Sequence, residues 1–196
     1  MYPRRFAMFA LAVLVGLGLV LVPGSVRALE PVTSDLVIEE FPHADNAVDF
    51  RDTWGERRSG GRRHKGTDIL SPRGTPIVAV APGTIVFIGK QGLSGYCIKI
   101  EHTDGWVSTY MHLNNDTPGT DDGHGGEEAA FAAGLEVGRR VEAGQLIGWV
   151  GDSGNAERTT THTHFELRHG DTKHNPYPYL AAAWRMDARD RHPAVQ

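Results

Sequence analysis

"TPIVAVA" (Thr75–Ala81) runs directly into "PGTIVFIG" (Pro82–Gly89), and this pair of runs decides the fold class. Both are rich in valine and isoleucine, both have strand length, and a Pro-Gly step divides them. β-Branched residues between turn formers at such short intervals read as strands rather than helices. The rhythm continues outward through "GYCIKIEH" (Gly95–His102), "WVSTYMHL" (Trp106–Leu113), "QLIGWVG" (Gln145–Gly151) and "THFELR" (Thr163–Arg168). A mainly β, chiefly antiparallel domain follows. The one helical expectation is a short C-terminal segment in "PYLAAAWRMDAR" (Pro178–Arg189). No internal repeat is visible.

One segment breaks the rhythm. "NNDTPGTDDGHGGEE" (Asn114–Glu128) is polar and glycine-rich, and "AAFAAGLE" (Ala129–Glu136) has room for a turn or two of helix. A long loop inside a compact domain is either a solvated insertion or functional, here as a wall of a substrate groove. Asp121, Asp122, His124, Glu127 and Glu128 offer oxygens and nitrogen to a cation, but their spacing fits no calcium-loop pattern.

The N-terminus reads as a targeting segment. Arg4 and Arg5 precede an almost wholly apolar run, Phe6–Val22, and Val26-Arg27-Ala28 supplies small residues before a cut after Ala28. The run is long for a signal peptide and short for a membrane span, so residues 1–28 are expected to be a signal peptide or an uncleaved anchor. Either way the remainder is exported, outside the cell, in the wall or in the periplasm. Residues 29–49 read as an extended leader, 50–182 as the domain and 183–196 as a C-terminal tail. Without Arg4, Arg5 and Arg27 the formal net charge moves from −4 to −7, which argues against nucleic-acid binding. Cys97 is the single cysteine, so no intrachain disulfide forms, and its strand neighbours predict a buried thiol.

The chemistry gathers around "THTHFELRHG" (Thr161–Gly170). Among 10 histidines in 196 residues, about 0.5 His-x-His pairs arise by chance, so the pair needs partners. "GRRHKGTDIL" sets His64 four residues before Asp68, where the glycines favour a loop running into a strand. In an extended chain, positions two or four apart point the same way, so His64 can meet Asp68, and His162 can meet His164. His112 closes the strand "WVSTYMHL", whose phase puts Tyr110 and Ser108 on its side. Zinc takes imidazole nitrogen and carboxylate oxygen, and a catalytic site uses three such ligands with a fourth position for water. The residues alone leave the ligand set open among His64, Asp68, His112, His162 and His164.

"HKGTDI", "GTPIVAVAPGTIVFIG", "STYMHL", "VEAGQLIGWVGDSG" and "HTHFELR", in that order and closing on "NPYPYL", resemble the lysostaphin/LytM-type zinc metallopeptidases. The resemblance runs from about Phe50 to Leu180. It implies the duplicated hybrid motif fold: a small antiparallel β-sheet or sandwich domain with an open groove, cutting peptide cross-links of bacterial peptidoglycan. A monomer is expected, touching a membrane only through a retained anchor. By resemblance, His64, Asp68 and His164 hold Zn2+, and His112 and His162 act in catalysis. Glu166 is placed to orient a ligand imidazole or simply to face solvent. Tyr110 is placed to donate to an oxyanion or to sit in the core. The rival reading is a non-catalytic relative that binds cell wall or regulates another hydrolase. Family members commonly carry leucine between the paired histidines; here Thr163 stands there, and its hydroxyl needs a partner if it faces the core. "ERRSGGRRHK" surrounds His64 with Arg57, Arg58, Arg62, Arg63 and Lys65, either a solvated basic loop or an attractor of wall carboxylates.

Overall fold

The computed structural model describes residues 36, 38–44 and 48–191, with side chains described as far as residue 185. The expected targeting segment over 1–28, most of the leader and residues 192–196 lie outside the described residues. Among the described residues no helix is long and apolar enough to cross a membrane.

Ten strands form, each where a β-branched or aromatic run was noted or where a short segment pairs with one. They are β1 (Asp49–Phe50), β2 (Thr67–Leu70), β3 (Pro76–Val78), β4 (Gly83–Lys90) and β5 (Tyr96–Glu101). β6 (Trp106–Leu113), β7 (Arg140–Val141), β8 (Leu146–Trp149), β9 (His162–His169) and β10 (Thr172–His174) complete the set. The main sheet has the order β1-β2-β9-β6-β5-β4-β7, with β10 returning onto β9, and every pairing is antiparallel. β3 and β8 make a separate two-stranded ribbon that packs over it.

Alternation along β9 sorts its side chains. Thr163, Phe165 and Leu167 are buried, while His162, His164 and Glu166 face the other way and stay half-buried. The inner face joins Ile69, Ile77, Ile85, Ile98, Ile100, Leu113 and Ile147, all fully buried. Burying each such side chain contributes about 1.5–3 kcal/mol, which carries stability in a chain with no disulfide. Cys97 is a free, buried thiol pushed up to about 11 by burial.

Three boundaries differ from the sequence reading. The packed unit starts well before Phe50, because Leu36, Ile38 and Phe41 are buried in the core and His43 bridges to Ile77. The C-terminal helix α2 (Tyr177–Arg191) runs through the expected tail, with Leu180 and Ala183 buried. Asn175 Oδ1 accepts the Tyr177 N–H at 3.0 Å, which caps its start. Trp184 then stacks edge-on against Phe41 at 4.8 Å, tying helix to leader. Finally, the helix in the long loop, α1 (Gly126–Ala130), begins before the alanine run, and Phe131 has already turned to bridge Gly148.

Candidate metal centre and its groove

β2 and β9 lie side by side with Asp68 opposite His164 and Leu70 opposite His162. Their approach is unusually close at Gly66, where a Cβ would stand 2.5 Å from the Phe165 carbonyl and 2.6 Å from the His164 ring. The glycine between His64 and Asp68 therefore lets the two halves of the site meet.

His64, Asp68 and His164 come together. His64 Nε2, His164 Nδ1 and Asp68 Oδ1 form a triangle with sides of 2.9, 2.8 and 3.0 Å. What each outer atom touches fixes the inner one. A carbonyl oxygen accepts only, so His64 Nδ1–H must donate to the Thr53 carbonyl at 3.0 Å, which leaves a lone pair on Nε2. His164 is turned the other way: Nε2–H donates to Glu166 Oε1 at 3.3 Å, leaving the lone pair on Nδ1. Two imidazole lone pairs and a carboxylate oxygen thus converge at hydrogen-bond distance with no donor among them. Such a set is repulsive unless a proton or a cation lies inside it. Nitrogen and oxygen ligands at ~2.0–2.1 Å in a tetrahedral array are about 3.3 Å apart, so a zinc ion fits with an outward shift of a few tenths of an ångström.

Charge around the triangle is graded. Burial works to raise the Asp68 carboxyl, but His164 and His64 outweigh it and hold it well below the usual carboxylate range. Its second oxygen takes a hydrogen bond from Arg58 Nη2 at 2.6 Å. Burial likewise opposes a charge on His164, while Asp68 and Glu166 overcome it and raise its pKa. Glu166 is itself held ionised against burial by His164 and by Lys173, whose Nζ lies 2.7 and 2.6 Å from its two oxygens.

His112 and His162 stand beside the triangle, their rings 5.2 Å apart. Each donates Nδ1–H to a carbonyl, His112 to Ser153 at 2.8 Å and His162 to Thr160 at 2.7 Å. That turns both Nε2 atoms toward the groove, that of His162 being 4.0 Å from Asp68 Oδ1. Burial lowers the His112 pKa to about 4, so its ring is neutral at neutral pH.

Tyr110 is not part of this face. It is fully buried, its hydroxyl 2.9 Å from the Val80 N–H and its ring edge-on to Phe165 at 5.2 Å. The expected shared phase with His112 fails at a β-bulge. Tyr96 pairs with Leu113 but Ile98 pairs with Tyr110, so β6 holds one extra residue there. His112 takes φ 62°, and this kink turns it to the groove while Tyr110 faces the core. The oxyanion role considered for Tyr110 is therefore ruled out by its position.

Thr163 does face the core, and its hydroxyl has a partner. His43 Nε2 lies 2.9 Å from Thr163 Oγ1, and Nδ1 lies 2.7 Å from Ser71 Oγ. Burial lowers the pKa of His43 to about 3, so the ring is a neutral bridge between two hydroxyls.

The groove over the histidines encloses about 500 Å³. Its walls come from Arg58 and Arg62 on one side, Leu93, Ser94, Asn155 and Ala156 on another, and Lys173 beyond Glu166. The loops at Gly95 and Gly154 interlock, since a Cβ on Gly154 would meet Gly95 N at 2.4 Å. Among the described residues, neither 36 and 38–44 nor the long loop contributes a lining residue. That loop is braced elsewhere: the Arg73 guanidinium pairs with Asp116, Asp121 and Asp152, supplying positive charge where the acidic cluster suggested a cation.

Residues 62–122 match the family model described as Peptidase family M23. The chain carries a peptidase family M23 domain. It is similar to the L-Ala–D-Glu endopeptidase of Bacillus subtilis, 33% identical over 70% of this chain and 41% of that protein. It is also similar to the murein hydrolase activator NlpD of Escherichia coli, 33% identical over 66% of this chain and 28% of the other. The chain thus spans less than half the length of these curated relatives. Among solved structures, the lysostaphin catalytic domain of Staphylococcus simulans superposes with a TM-score of 0.55 at 29% identity. That match covers 69% of this chain and 94% of the lysostaphin domain. Within the M23 domain described here, sequence reasoning left out Lys173, Leu93 and the pairing of Arg58 with Asp68. Lys173 had one available signal: "RHGDTKH" is a hairpin sequence that carries it back alongside Arg168.

Proposed function

We propose that this chain is an exported zinc metalloendopeptidase that hydrolyses peptide bonds in bacterial peptidoglycan. The observation that carries the proposal is the convergence of two ring nitrogens and a carboxylate oxygen within 3.0 Å, beside two further imidazoles that backbone carbonyls hold by Nδ1. His64, Asp68 and His164 would hold zinc. Zinc bound there supplies Lewis acidity, bringing the pKa of a coordinated water toward ~7 and polarising a peptide carbonyl. His112 and His162, each oriented by a backbone carbonyl, take up the proton released at the groove and return one to the leaving amine. Glu166 fixes the His164 ring with Nδ1 inward, and Arg58 holds Asp68 by its second oxygen. Export follows from the substrate's location and from the basic-then-apolar N-terminus.

A second reading rests on the likeness to the murein hydrolase activator NlpD: a domain that binds wall and regulates another hydrolase. The presence of His112 and His162 in groove-facing, proton-accepting orientation favours the enzyme. The full chain, zinc-loaded and incubated with peptidoglycan, is expected to release peptide amines in a chelator-sensitive manner. Retained wall binding with no amine release by the wild type would replace the enzyme with the regulator.

A further inference from the structure

The lip of the groove between β1 and β2 carries more positive charge than its own carboxylates balance. Arg51 is paired with Glu56, and Arg58 with Asp68. Among the described residues Arg57, Arg62, Arg63 and Lys65 make no ion pair, although the whole chain is acidic at −4. Arg62 is the one of these four that lines the groove.

Its placement is built. Residues 57–63 form a tight hairpin in which the Arg58 N–H donates to the Arg62 carbonyl at 2.9 Å and Arg57 bridges Arg63. Gly60 and Gly61, at φ 71° and 74°, turn its tip. Arg58 leans to Asp68, whereas the Arg62 side chain donates only to Ser59, from Nε to the carbonyl at 3.2 Å and from Nη2 to Oγ at 3.4 Å. Part of its planar fork is left for a bidentate acceptor, which is what a carboxylate offers. The same groove is also lined by Leu93, 59% exposed, and by Ala156, Ser94 and Asn155.

We infer that Arg62 binds a free carboxylate of the peptide seated over the histidines, so that the groove selects acidic peptides over neutral ones. The inference rests on the proposed peptide-hydrolase reading and names its substrate class. The cations are partly solvated, so the contact works at short range and weakens as salt is raised.

The test uses the zinc-loaded full chain and two labelled stem peptides, one with a free glutamyl carboxyl and one amidated at that carboxyl. Binding is read by anisotropy and turnover by amine release. The free acid is expected to show a KM about tenfold lower at similar kcat, the scale of one charge-assisted contact. Arg62→Gln should raise the KM of the acid to that of the amide, and Arg62→Lys should restore only part of the preference, because the charge returns without the planar fork. Equal constants for the two peptides, or a preference that survives Arg62→Gln, would overturn the inference. So would displacement by polyphosphate at lower concentration than by the acidic peptide. Preferential binding of the acid without turnover would keep the carboxylate lip and remove the proposed hydrolysis. Turnover without preference would do the reverse.

Discussion

His162 and His164 share one face of one strand, yet their rings are turned in opposite senses, and that turn separates their roles. His164 points Nδ1 into the ligand triangle because Glu166 takes its Nε2–H. His162 gives its Nδ1–H to Thr160 and leaves Nε2 toward the groove. The consequences of truncation should therefore be unequal. His164→Ala is expected to empty the site, measured as zinc per protein after gel filtration. His162→Ala should keep its zinc and lose about 10²–10⁴ in kcat, the range for removing a general acid or base. Equal zinc loss in both variants would sink the asymmetry. Glu166→Gln, which keeps an acceptor but drops the charge, should weaken zinc binding about 10–100-fold without abolishing it; unchanged affinity would remove Glu166 from the site.

Among the elements, the β2–β9 pair shows how the site depends on backbone spacing. Gly66→Ala places a methyl against both the Phe165 carbonyl and the His164 ring, so β2 must move away from β9. Zinc affinity is expected to fall about tenfold or more while the far strands β4 and β5 hold their amide-exchange protection. An unchanged zinc affinity would show that the strands absorb the methyl elsewhere. This is also the scale at which the sequence was most readable. The valine- and isoleucine-rich runs marked β3 to β6, β8 and β9, and the loop into "TDIL" marked β2, because β-branched runs between turn formers are a local signal. Alternation likewise put His162 and His164 on one face. It failed at His112, since a single residue at φ 62° inserts a bulge that no spacing rule reveals. It was silent on β1, β7 and β10, which are two or three residues long and exist only through their partners. Arg58 on Asp68 and Lys173 on Glu166 were hidden for the same reason: each contact is made by the folded chain rather than by neighbouring residues.

Over the whole molecule, residues 36 and 38–44 of the expected extended leader act as a structural strap. Leu36, Ile38 and Phe41 are buried, Phe41 packs on Trp184 of α2, and His43 reaches Thr163, 120 residues away, on the strand that carries both site histidines. Composition could not show this, because proline and acidic residues give the segment a loop-like pattern and its few apolar side chains find partners only at long range. A strap fastened through a buried neutral histidine makes stability depend on pH. His43 has an ordinary pKa of 6.5 that burial lowers to about 3 in the folded chain. Below pH 6.5 the unfolded chain takes up a proton that the folded chain refuses, so stability is full above that pH and drains away as pH falls toward 3. The slope for one such group approaches 1.4 kcal/mol per pH unit. His112, lowered to about 4, adds to the same trend, whereas His164, whose pKa is raised, opposes it in the zinc-free chain. Comparing the wild type with His43→Gln under one set of conditions cancels those other groups. At pH 7.5 the variant should be less stable by about 1–3 kcal/mol through its broken contacts to Ser71 and Thr163. Between pH 6.5 and 4 the gap should then narrow, as the wild type alone carries the proton penalty of His43. Urea unfolding at half-unit pH steps reads both curves, and curves that stay parallel across that window would show that His43 does not fasten the strap as a neutral ring.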